Sequence, residues 1–200
     1  MSEATVNHER LAAAHEKFDA ANAEDPNETQ LPDGSTQPKE LIYGQRMTEE
    51  LLRFAPDAPE SVHLAARCQH IRRWKIPRKD YPMDKAGYHK WRTILYKFHA
   101  DQAAEILTEV GYDPETIDRV AFLLQKKKLR SDADTQTLED VICLTFLRHY
   151  FVDFADQHPE EKVVDIVRKT WGKMSEAGHA AALKLDLAPE SLRLVQLALA

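Results

Sequence analysis

Apolar residues recur along most of the chain at the three- and four-residue spacing of an amphipathic helix. Val6, Leu11, Ala14, Phe18 and Ala21 mark one face over residues 4–23, which stops before Asp25-Pro26-Asn27. Residues 24–38 hold three Pro and one Gly among polar residues and read as a long polar loop. A second helix follows through LIYGQRMTEELLRF, and a third from Glu60 to about Trp74. Residues 75–84 carry two Pro and form a cationic loop. A long helix over about 86–110 is stopped by Gly111, and the next runs over about 114–128 with Pro114 at its first position. The stretch from about 134 to 156 contains VICLTFLRHYF, uncharged from Val141 to Leu147, and predicts the most buried helix. Two or three shorter helices end the chain, broken near Pro159, Gly178 and Pro189. No strand pattern competes. The expectation is an all-α bundle of about eight helices, in one domain over residues 1–200.

Composition narrows the class. Apolar residues make up 43% and charged residues 30%, which fits a globular chain. No apolar run approaches the roughly 20 residues that span a bilayer, so no membrane partner is expected. Cys68 and Cys143 both fall inside helices, against a disulfide framework, and the N-terminus lacks the order of a signal peptide. A cytoplasmic location is the expectation.

Charge changes the picture more. The net charge is −6, yet residues 67–97 hold ten Lys and Arg against two acids, which leaves the rest of the chain at −14. Such a segment in an acidic chain predicts a local anionic partner rather than general nucleic-acid binding. The interleaved Trp74, Tyr81, Tyr88 and Trp91, with Lys126-Lys127-Lys128, offer stacking surfaces for single-stranded RNA. The overall acidity argues against that use.

Polar groups also fall where a core is expected. On the third helix Glu60, His63 and His70 share an arc of about 80°. His99 lies on the apolar stripe of the long helix, with Tyr88 and Arg92 in step. Asp140, beside Glu139, shares a face with Cys143, Leu144, Leu147, Phe151 and Phe154. A carboxylate there must be paired, capped or metal-bound. As a site residue, Asp140 should tolerate change to Asn without loss of stability. Two histidines and a carboxylate inside a bundle match the chemistry of a metal-dependent phosphohydrolase. The cations after His70 would then hold phosphate, Arg73 and Arg78 by forked contacts.

The strings FDAANAEDPN (18–27), YGQRM (43–47), QHIRRW (69–74), IPR (76–78), GYHKWR (87–92) and QTLEDVICLTFL (136–147) resemble the family grouped as domain of unknown function 4202. The likeness runs over essentially the whole chain. A fainter resemblance is to the HD superfamily of metal-dependent phosphohydrolases, which implies an HD-like helix order. In that pattern His70 matches the His of the doublet, His99 a following His and Asp140 the late Asp, while the doublet's Asp is Ile71 here. The first string adds Asn22 and Asp25 as ligand contacts at a helix end, or as turn formers around Pro26.

Two functional readings follow. In the first, the chain hydrolyses a small phosphorylated metabolite or nucleotide. One divalent metal ion sits on His70, His99 and Asp140, and Glu60, His70, Glu139 and Asp140 do the chemistry. Arg73, Arg78, Tyr88, Arg92, Asn22 and Asp25 hold the substrate. In the second, a non-catalytic module binds a small anionic ligand or an acidic partner through residues 67–97.

Overall fold

The computed structural model describes residues 7–31 and 33–199. The start of the first predicted helix, with Val6, lies outside them. The chain forms two compact units, one ending at Lys128 and the other running from Leu129.

The first unit opens with α1 (His8–Asn22), capped by Asn7, whose side chain accepts from the Arg10 amide. Residues 24–38 depart from the expected loop. They contain an antiparallel ribbon of β1 (Glu28–Gln30) and β2 (Thr36–Pro38), with Thr29 facing Gln37. The strands are three residues each and have no apolar alternation, so the pattern that announces a strand is missing. The turn places Gly34 at φ 85° and ties Asp33 to Ser35. Next comes α2 (Lys39–Phe54).

The third helix is shorter than its sequence suggests. α3 (Glu60–Arg67) ends seven residues before Trp74. The backbone then tightens, with Gln69 N donating to Ala66 O, and turns at Arg72, which takes φ 50°. Short 3-10 turns follow at Arg73–Lys75 and Arg78–Asp80. His70 therefore does not continue the face of Glu60 and His63.

α4 (Lys85–Val110) matches expectation closely. Asp84 caps its start and Gly111, at φ 88°, ends it in the left-handed conformation. α5 (Pro114–Leu124) is capped by Asp113 and stops four residues early, with positive φ at Lys126 and Lys128. Phe18, Met47, Leu51, Leu64, Ile71, Leu95, Leu107, Leu123 and Leu124 are fully buried in this unit.

The second unit holds α6 (Ala133–His149), α7 (Phe151–Asp156), α8 (Glu160–Trp171), α9 (Glu176–Ala182) and α10 (Pro189–Leu199). The predicted 134–156 helix is split at Tyr150, whose φ of −129° leaves the helical region. Leu138, Leu144 and Phe151 are its largest fully buried side chains. The described residues thus form ten α-helices rather than about eight, with helix as the dominant structure. Among them no helix is long and apolar enough to cross a membrane. Cys68 and Cys143 are both buried and form no disulfide.

Candidate functional site

The first unit contains an open cleft of about 740 Å³, lined by Pro26, Asn27 and Glu28, by Lys39 and Glu40, by residues 73, 74 and 76–79, and by Trp91. Its wall is built by side chains that fasten distant segments. Asn22 is buried at the end of α1. Its amide donates to Glu40 O, and its Oδ1 accepts from the Arg72 amide. Asp25, also buried, accepts at Oδ1 from the amide and side chain of Asn27, and at Oδ2 from the Glu40 amide. The second bond satisfies an orphan N–H in the first turn of α2. Both residues thus act as scaffold behind the cleft, and Pro26 and Asn27 are the part of this string that lines it.

Glu40, so positioned, is 7% exposed. Burial raises its pKa, against the pull of Arg73, Lys39 and His99. Its Oε2 lies 3.2 Å from His70 Nδ1, and Tyr43, one turn on in α2, stacks on the imidazole at 4.0 Å. On the other side of the ring, Arg73 Nη1 lies 2.9 Å from His70 Nε2. With Glu40 as carboxylate, the proton sits on Nδ1 and Nε2 accepts from Arg73. Burial, with Arg73, Arg92, Lys126 and Lys39 close by, holds this histidine's pKa well below its usual value. His70 is a neutral base in a cationic field.

Further cations complete that field. Arg92, from α4, donates to the Tyr96 and Tyr88 hydroxyls. Arg73 packs 4.9 Å from the Trp91 ring centroid, while burial depresses its pKa. Arg78 donates to Tyr81 O and Asp84 O and flanks the same ring at 5.9 Å. Trp91 is itself buried, its indole N–H donating to Ile76 O. Tyr88 is 42% exposed. Among the described residues no carboxylate lies within ion-pair distance of Arg73, Arg78 or Arg92.

His99 lies behind His70, the two ring centroids 5.9 Å apart. Its Nδ1 donates to Ile71 O, and Nε2 is buried without a partner. Burial and its neighbours lower its pKa to about 3. A metal on these histidines would need lone pairs. His70 has one, directed at a guanidinium, and His99 has one, at Nε2. No group of three or more His, Cys, Asp or Glu among the described residues is arranged to hold a metal ion. The donor set does not fit a metal in this arrangement.

The remaining candidates have other partners. Glu60 accepts a 2.5 Å bond from the Tyr112 hydroxyl and lies 3.9 Å from Arg10. Glu139 and Asp140 belong to the second unit. Asp140 accepts from Ser175 N at 2.8 Å, Ser175 Oγ at 2.6 Å and Gln136 Nε2 at 3.3 Å. Ser175 in turn caps α9, so Asp140 anchors a helix start. Glu139 is buried, with Lys173 Nζ at 3.9 Å.

Sequence reasoning found His70, Arg73, Arg78, Tyr88, Arg92 and His99, which the structure brings together. It missed Glu40, Tyr43 and Lys39. An acid in the first turn of a helix reads as a partner of the helix dipole, and nothing local signals that Glu40 is buried. Comparison with known proteins agrees with this extent: no curated protein and no solved structure matches the chain, but residues 12–195 match the family described as domain of unknown function DUF4202. With all but the two ends covered, the chain belongs to the DUF4202 family.

Proposed function

We propose that the cleft of the first unit binds a small phosphorylated metabolite, with Arg73, Arg78 and Arg92 as the phosphate-holding groups. The observation that carries this reading is an excess of partly buried cations. Arg73, Arg78 and Arg92 are half-buried, Arg73 and the exposed Lys39 act on the one buried carboxylate of the cleft, Glu40, and Arg92 acts on the adjoining His70. A partly desolvated cation without a counter-charge is costly, and a bound anion supplies that charge. Guanidiniums match phosphate oxygens by forked contacts.

Titration of the protein with inorganic phosphate and with sugar and nucleoside phosphates, followed by calorimetry, tests this. A hydrogen bond to a charged group contributes about 1.5–3 kcal/mol, so Arg73→Gln should weaken phosphate binding by roughly 10- to 100-fold. Absence of binding by every phosphate compound would remove the reading.

The Glu40–His70 contact favours a second reading, in which the bound ester is hydrolysed. A carboxylate that fixes an imidazole tautomer is the arrangement of a general base. The faint resemblance to HD phosphohydrolases belongs to this reading as well. Its metal-dependent form lacks a fitting donor set here, so the acid–base work would fall to His70. Multiple turnover of a phosphoester, abolished in His70→Gln with binding retained, is the result that selects it.

A further inference from the structure

We propose that His70 Nε2 is the acceptor for a proton carried by the bound anion, so that the cleft selects hydrogen phosphate over anions without a proton, such as sulfate. This rests on the cleft being an anion site and names what it discriminates. The donors beside His70 are Arg73, Arg92 and Lys39, with Arg78 on the cleft wall, while the carboxylates of Glu28 and Glu40 also line the cleft. His70 presents one lone pair, at Nε2, on the side of the ring turned from Glu40 Oε2 and towards the cleft-lining Arg73. Glu40 fixes it there by holding Nδ1–H at 3.2 Å. In the free protein Arg73 Nη1 occupies that lone pair at 2.9 Å. About 23% of the His70 side chain is exposed, so a ligand that draws Arg73 to itself meets Nε2 directly.

At that point two acceptors face each other, the ligand oxygen and Nε2. The contact is favourable only with a proton between them. Hydrogen phosphate brings one as P–OH. Sulfate brings none, so His70 must first take a proton from solvent. The charged and titratable groups around the imidazole are Glu40, Lys39 and Tyr43 on α2, Arg73 in the 3-10 turn, Arg92 and His99 on α4, and Lys126 after α5. Four of these are cations, and they make that uptake unfavourable near neutral pH. Linkage then fixes the sign: sulfate affinity falls as pH rises, and phosphate affinity does not.

Calorimetric titration of the full chain with inorganic phosphate and with sulfate, between about pH 7 and 9, reads both slopes. Uptake of one proton predicts sulfate affinity falling about tenfold per pH unit, with phosphate nearly level. Replacement of His70 by Gln, whose amide donates or accepts, should flatten the sulfate slope and erase the preference. The wild-type slopes stand as a test even where that variant folds poorly. Equal, pH-independent affinities for the two anions would overturn the inference and leave the anion site standing. No phosphate binding at all would overturn both.

Discussion

Asp140 sits where the hydrophobic pattern places it, buried on α6, and its three acceptor bonds hold the start of α9. In Asp140→Asn one oxygen becomes an amide that faces a donor, either the backbone N–H or the hydroxyl of Ser175. Stranding a buried donor costs about 1–3 kcal/mol, so the variant should melt measurably lower, by differential scanning calorimetry, while phosphate affinity in the first unit is unchanged. Equal stability with lost binding would return Asp140 to the candidate site. Its burial was legible in the sequence because it follows from helical spacing. Its partner was not, because Ser175 lies 35 residues away and a lone Ser carries no marker. Glu40 shows the same limit from the other side: its place in a first turn is visible, but its desolvation comes from segments 15 to 30 residues distant.

Helix identities were legible wherever a cap and a stripe coincide, as in α4, bounded by Asp84 and Gly111. They failed where a tertiary bond overrides the pattern. The apolar spacing of AARCQHI continues a helix, but the Arg72 amide is drawn to Asn22 and the chain turns. That turn carries His70 and Arg73 towards Glu40, so the departure from the pattern is what assembles the candidate site. The approach of α2 to α3 gives a prediction at this scale. A Cβ on Gly44 would lie 2.6 Å from Arg67 O, and Arg67 is locked by its bidentate pair with Asp19. Backbone cannot yield as a side-chain tip can. Gly44→Ala should therefore destabilise by about 1–3 kcal/mol, the range of overpacking, read as a lower denaturant midpoint without a change in slope. A neutral outcome would mean that the two helices can separate at this point.

Over the molecule as a whole, the concentration of positive charge in residues 67–97 falls entirely within the first unit, as does the cleft. That unit also buries neutral histidines. His15 is pushed down to about 4, first by burial and then by Arg67, and His99 to about 3. Each binds a proton near its ordinary value when unfolded and much lower when folded. The unfolded state therefore holds more protons below about pH 6.5, and stability falls as the solution is acidified from there towards about pH 4. Denaturant midpoints across that range should decline, and His15→Gln should flatten part of the decline. A profile level down to pH 4 would contradict the burial of both rings. The charge cluster and the all-α class were open to reading from the sequence. The division at Lys128 was not, since no Gly- or Pro-rich linker marks it.

The bond from the Arg72 amide to Asn22 has a dynamic consequence. Residues 69–80 form no α-helix, so the segment that presents His70, Arg73 and Arg78 owes its place to contacts such as this one, made across 50 positions of sequence. Loss of the clasp lets the segment open locally without unfolding the unit. Apparent affinity then falls in proportion to the closed fraction, although every ligand contact is intact. Asn22→Ala should accordingly speed hydrogen exchange at Arg72 and weaken phosphate binding together, and added phosphate should slow that exchange again.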